Sequence, residues 1–167
     1  NLFYIDMELV PGQTLGRHIR QLVQRGEQVS LKETLYLMAQ VAEALGYAHN
    51  HDVIHRDVKP GNVLVRVLDK PERPGEPPLR AVVTDFGLAK LQAGGIATQS
   101  GALLGTLPYM SPEQLEGKKV DGRSDLYALG IMLYQLATGQ LPFAIRSLAD
   151  AVTKHCTVPP PDPTNIQ

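Results

Sequence analysis

The sequence predicts an α+β fold, mainly α-helical, with one short β-hairpin. Three observations carry that expectation. Leu31, Leu35, Met38, Ala42, Leu45 and Ala48 recur at helical spacing, so a segment running to about His49 should bury one face. The apolar run "LYALGIMLYQLATG" (126–139), interrupted by Gln135, has the length of a buried core helix. "NVLVRVL" (62–68) and "RAVVT" (80–84) read as two strands joined by a Pro-rich connection.

Each element has its own signal. "LFYIDMELV" (2–10) alternates weakly and is rich in large apolar side chains, which suggests a strand, and Pro11 and Gly12 then mark a turn. "LGRHIRQLVQR" (15–25) reads as a short helix stopped by Gly26. Ser30, with Glu33 three positions later, is a capping-box signature for the 31–49 helix. "DKPERPGEPP" (69–78) reads as an exposed, extended connection with no core of its own. From Asp85 to Glu113 the chain looks loop-like. Ser124 or a near neighbour should cap the 126–139 helix, and Gly139 should end it. "SLADAVTKH" (147–155) is a last short helix capped by Ser147, followed by a polyproline-like tail.

Composition narrows the function classes. A chain of 167 residues with 43% hydrophobic and 20% charged residues is one ordinary domain, or a large piece of a bigger one. A formal net charge of −1 gives no basic footprint for nucleic acid and no polybasic membrane signal. Cys156 is the single cysteine, so no intrachain disulfide can form, and it reads as a small hydrophobe in a reducing compartment. No signal peptide is expected, and no apolar run in these residues is long enough to span a membrane. The chain opens at Asn1, inside an apparent strand, so a longer gene product is expected.

Residues 55–62, "HRDVKPGN", concentrate charge between apolar flanks. Asp57 and Asn62 lie between a helix and a strand, and Asp85 follows the second strand of the next hairpin. A hairpin brings its ends together, so Asp85 can face Asn62, giving oxygen ligands suited to a hard cation such as Mg²⁺. His49 and His51 fit no zinc spacing and read as helix-end histidines.

"HRDVKPGN", "DFGLAK" and "GTLPYMSPEQL", in that order, resemble the eukaryotic-like (Hanks-type) protein kinase family, with Ser111 where the family usually has Ala. "DGRSDLYALGIMLYQLATGQLPF" is similar to the family's central buried helix, and the texture is that of bacterial Ser/Thr kinases. The resemblance implies a partial kinase-like fold. Residues 1–12 would be the last N-lobe strand and hinge, and 13–167 a partial C-lobe, with the catalytic loop at 55–62 and the activation segment at 85–113.

The resemblance also implies roles. Asp57 would hold the acceptor hydroxyl in line, Lys59 would reach the transferring phosphate, and Thr106 would contact both. Asn62 and Asp85 would hold Mg²⁺ (or Mn²⁺) against the phosphates of ATP. Met7 falls at the gatekeeper position, Glu8 and Val10 would present backbone groups to adenine, and Leu64 would floor the adenine pocket. Arg56 and Lys90 would receive a phosphate placed on Thr98 or Ser100. His55 would pack near Phe86, and Asp125 would bond the backbone of the His55–Arg56 turn. Glu113 would lack the Arg that usually pairs with it.

The partners implied are ATP and proteins bearing Ser or Thr. The setting implied is the cytoplasm, either free or as the cytoplasmic part of a membrane-anchored receptor kinase. The Gly-rich loop, the ATP-contacting Lys and the helix Glu of the family would lie before Asn1, so this chain is expected to be an inactive fragment of an active enzyme. The competing reading is a pseudokinase that binds nucleotide or acts as a scaffold.

Overall fold

The computed structural model describes residues 7–27, 29–86 and 105–165. The chain order is β1 (Gln13–Thr14), α1 (Leu15–Gln24), α2 (Leu31–His49), a 3₁₀ turn (Pro60–Asn62), β2 (Val63–Val67), β3 (Leu79–Val83), a 3₁₀ turn (Leu107–Tyr109), α3 (Pro112–Leu115), α4 (Gly122–Thr138), α5 (Leu148–Thr157) and a 3₁₀ turn (Pro163–Asn165). The three strands form one antiparallel sheet in the order β1-β2-β3.

β2 and β3 pair from Val63↔Val83 to Val67↔Leu79, the hairpin expected from sequence. Alternation along β2 buries Val63 and Val65 and leaves Leu64 half-buried on the other face. β1 pairs Gln13 with Val65 and Thr14 with Leu64. It is a strand the sequence reading did not contain, because two residues are too few to show alternation. Residues 7–10 form no strand, contrary to expectation, and the remainder of the proposed 2–10 strand lies outside the described residues. Gly12 lets the chain enter β1. Its φ is +145°, and a Cβ there would lie 2.7 Å from the Val65 carbonyl oxygen.

The outer edge of β3 is closed by a side chain. Gln40 of α2 donates through Nε2 to the Leu79 carbonyl at 3.4 Å and accepts the Ala81 N–H through Oε1 at 3.0 Å. The amide thus does for the edge what a further strand would. The 69–78 connection is more structured than expected. The Leu68 N–H bonds the Pro78 carbonyl at 2.8 Å, Pro77 is buried, and the Tyr36 hydroxyl donates to Glu76 at 3.1 Å, so the loop is pinned to α2.

α2 begins on the expected capping box between Ser30 and Glu33. Its buried face is Thr34, Leu37, Met38, Val41, Leu45 and Ala48, while Leu31 and Leu35 are exposed. The face is therefore rotated from the one expected. The helix is apolar over much of its circumference, and the docking of α2 on β3 and α4 selects the Leu37–Val41 side. α4 is capped by Asp121, whose side chain accepts the Arg123 N–H, rather than by Ser124. It ends at Gly139, in the left-handed conformation at φ +76°, as expected. α5 is capped by Ser147.

Two departures fall in the segment expected to be loop. Gly105–Tyr109 is helical or 3₁₀, and α3 carries its own capping box between Ser111 and Gln114. One core joins α2, β2, β3 and α4, with Leu37, Val41, Leu45, Val63, Val65 and Met132 at its centre. Among the described residues no helix is long and apolar enough to cross a membrane.

Candidate active site

The 55–62 loop runs from α2 to β2 over this core and is fixed at both ends. Asp125, in the first turn of α4, is 1% exposed. Its Oδ2 accepts the His55 N–H at 2.9 Å, and its Oδ1 accepts the Arg56 N–H at 2.8 Å. His49 at the end of α2 adds a third bond, Nε2 to Asp125 Oδ2 at 2.7 Å. Three donors on one buried carboxylate offset the cost of its burial. His49 was read only as a helix-end residue. A clue lay in Gly122, where a Cβ would lie 2.8 Å from the His49 ring, although no local spacing links residues so far apart.

His55 is fully buried and has one consistent tautomer. Nε2 faces the Thr84 carbonyl at 2.8 Å and must donate, while Nδ1 faces the Asp57 N–H at 3.2 Å and must accept. Its ring lies 4.6 Å from that of Phe86, centroid to centroid. The imidazole is therefore a strut between the loop and the end of β3.

Asp57 faces the centre of the constellation. Its Oδ2 is 2.8 Å from Lys59 Nζ and accepts from Asn62 Nδ2 at 2.9 Å. The same Asn62 nitrogen donates to the Asp57 carbonyl at 2.8 Å, so the loop closes on itself. Oδ1 is buried and has no partner among the described residues. Lys59 Nζ also donates to Thr106 Oγ1 at 2.8 Å, which ties the loop to the Gly105–Tyr109 turn. The Thr84 N–H bonds the Asn62 carbonyl at 2.9 Å, so the hairpin sets Asp85 beside Asn62.

Backbone conformation at the site is unusual. Arg56 has φ 67° and Asp85 has φ 63°, both in the left-handed region although neither is glycine. Such conformations cost about 1–3 kcal/mol each and persist only where the surroundings enforce them. For Arg56 the enforcement is visible: its N–H is held by Asp125 and its carbonyl accepts from Gln114 Nε2 at 2.7 Å.

The protein kinase domain model matches residues 1–159. The chain belongs to the protein kinase family. It is 44% identical over 165 residues to serine/threonine-protein kinase pkn3 of Myxococcus xanthus, covering 96% of this chain and 28% of that protein. It is 36% identical over 163 residues to serine/threonine-protein kinase PknB of Mycolicibacterium smegmatis, covering 96% of this chain and 24% of that protein. It is 36% identical over 155 residues to PrkC of Bacillus subtilis, covering 93% of this chain and 22% of that protein. The chain thus spans between a fifth and a third of the length of the curated kinases it matches.

Other residues singled out from the kinase resemblance are less engaged. Met7 and Glu8 are exposed and Val10 is half-buried, all three in irregular backbone before β1. Leu64 lies on the sheet face opposite Val63 and Val65, clear of the packed core. The Arg56 guanidinium has no partner among the described residues. Lys90, Thr98 and Ser100 lie outside the described residues.

Glu113 takes a hydroxyl partner in place of an Arg, since the Ser124 hydroxyl donates to its Oε1. Burial works upward on this carboxyl, but hydrogen bonds from Ser124, its own backbone and Ser111 outweigh it and hold it below the usual range. Gln114 and His155 brace the candidate site, and nothing in the local sequence signals that role for either. His155 Nε2 faces the Leu107 carbonyl at 3.1 Å, one residue from Thr106, and its Nδ1 is 2.7 Å from the Tyr127 hydroxyl.

Proposed function

We propose that the protein carrying this chain is a serine/threonine kinase that transfers the γ-phosphate of ATP to protein hydroxyls in signalling. The observation that carries this reading is Asp57. One carboxylate oxygen is fixed by Lys59 and Asn62, and the other is buried with no partner among the described residues. An acceptor hydroxyl donating to Oδ1 would satisfy that atom and be held in line for attack. Lys59, already beside Asp57 and Thr106, supplies a point charge for the transferring phosphate.

The residues present suit a magnesium ion. Asn62 spends its amide nitrogen on Asp57, which leaves its carboxamide oxygen as a metal ligand, and Asp85 is an exposed carboxylate directly after Thr84, whose N–H bonds the Asn62 carbonyl. Two hard oxygen ligands fit an ion that keeps several waters and binds substrate phosphates. When bound, the ion would neutralise charge developing on those phosphates. Met7, Glu8, Val10 and Leu64 are assigned to the adenine side of the cleft. Residues 1–12 are then the hinge and the rest a partial C-lobe. The reading also places this chain in the cytoplasm, alone or as the inner part of a membrane-anchored receptor.

The 167 residues contain no Gly-rich phosphate loop, so the test belongs to the full-length protein. With ATP and Mg²⁺ it should label Ser or Thr of a protein acceptor, and Asp57→Asn should reduce transfer by about 10²–10⁴-fold, the scale of a positioned proton acceptor. Nucleotide binding without transfer by the unaltered protein would overturn the enzyme reading in favour of a pseudokinase.

A further inference from the structure

Beside the catalytic loop lies an open groove of about 460 Å³, whose walls include Ile19, Arg20, Lys59, Pro60, Gly61 and Gln135. Among the described residues, none that lines it is acidic. Lys59 is occupied by Asp57 and Thr106, but Arg20 is exposed and has no ion pair or hydrogen bond among the described residues. The Arg20 guanidinium lies near the loop. A Cβ built on Gly16 would sit 3.6 Å from Pro60 Cβ and 3.7 Å from Arg20 Nη1, so the guanidinium and the loop flank the same glycine. α1 carries Arg17 and Arg20 and no acidic residue, so nothing on that helix neutralises this wall. On the far wall, Gln135 spends its oxygen on the Tyr109 hydroxyl at 2.7 Å, leaving its amide nitrogen as a further donor. Gly61 adds no side chain, so the floor between the two donors is open.

We propose that Arg20 is a specificity-determining residue that selects acceptor proteins carrying a carboxylate side chain near the phosphorylated Ser or Thr. This rests on the kinase reading given above. An extended acceptor with its hydroxyl at Asp57 runs past Pro60 and Gly61, and at about 3.3 Å per residue it reaches the Arg20 region within about two to four residues. A basic acceptor side chain there would meet the Arg20 charge with no acidic lining residue among the described residues to offset it, so the groove also disfavours basic sequences. The preference should act chiefly through KM and weaken with salt, as expected for a charge pair in an open groove.

The experiment uses the full-length protein and Ser-centred peptides scanned at each flanking position with Glu, Ala, Lys and phosphoserine. The unaltered protein should favour Glu over Lys by about fivefold at one position, the scale of a single exposed ion pair. Arg20→Glu should invert the Glu-to-Lys ratio at that same position and leave the ratio elsewhere alone. Transfer with identical profiles for the unaltered protein and Arg20→Glu would overturn this inference and leave the kinase reading standing. A preference for phosphoserine with none for Glu would replace the carboxylate by phosphate and overturn the assignment as stated. Absence of transfer to every peptide, together with absent autophosphorylation, would remove the kinase reading and this one with it.

Discussion

Asp125 and Asp57 are two carboxylates of one site with opposite degrees of satisfaction. Asp125 accepts three hydrogen bonds and is almost wholly buried, so its work is to hold the loop. Asp57 keeps one oxygen without a partner among the described residues, the arrangement of a group that awaits something. Removing Asp125 should therefore act through stability first. Asp125→Ala strands two backbone N–H groups at about 1–3 kcal/mol each, so urea denaturation of the full-length protein should show a loss of about 2–5 kcal/mol. Asp125→Asn keeps the shape and one acceptor oxygen and should lose less; equal losses for the two variants would show that the hydrogen-bond account is wrong. The left-handed Arg56 belongs to the same fixture, because its strained φ is held between Asp125 and Gln114.

The elements that carry the loop are ordinary in themselves. α2 brings His49 and the start of the loop, β2 and β3 bring Asn62 and Asp85 together, and α4 supplies Asp125. The capping box at the head of α2 is exposed and well removed from the site in sequence. Ser30→Ala should cost about 1 kcal/mol, visible as a lowered denaturation midpoint, with the peptide preference of the full-length protein unmoved. α3 was the element least expected, yet its capping box follows the Ser-x-x-Gln pattern at Ser111 and Gln114. Its four residues show no periodicity, which is why the pattern went unread. The face expected for α2 holds at Met38, Leu45 and Ala48 but not at Leu31 and Leu35, for a related reason: a helix apolar on several sides does not say which side its neighbours will take.

Across the whole molecule, α5 is joined to the site through His155. Burial pushes this imidazole down, with the Leu107 carbonyl working against it, so the folded protein prefers the neutral ring. The Tyr127 hydroxyl that faces Nδ1 is pushed up to about 12 by burial, and so remains a donor at any working pH. The unfolded chain thus binds more protons than the folded one just below pH 6.5, the ordinary histidine value. The contribution of His155 should be complete above that value and decline as pH falls through the depressed folded value. His18, also lowered by burial, acts in the same direction. Measured between pH 7.5 and pH 5 (about the range where histidine titrates), stability should fall, and His155→Gln should flatten the slope. An unchanged slope in that variant would assign the dependence to other groups.

Sequence by itself determined the family, the long helices α2 and α4 and the β2–β3 hairpin, because each is carried by a contiguous motif or periodicity that survives without coordinates. It also determined the caps at Ser30, Gly139 and Ser147, since capping is a matter of three or four neighbouring residues. Tertiary structure alone decided which face of α2 is buried, that Gln40 closes the edge of β3, that Ser124 satisfies Glu113, and that His49 and His155 brace the site. Each of these depends on which elements pack together, and that is settled by the shared core rather than by any local run of residues.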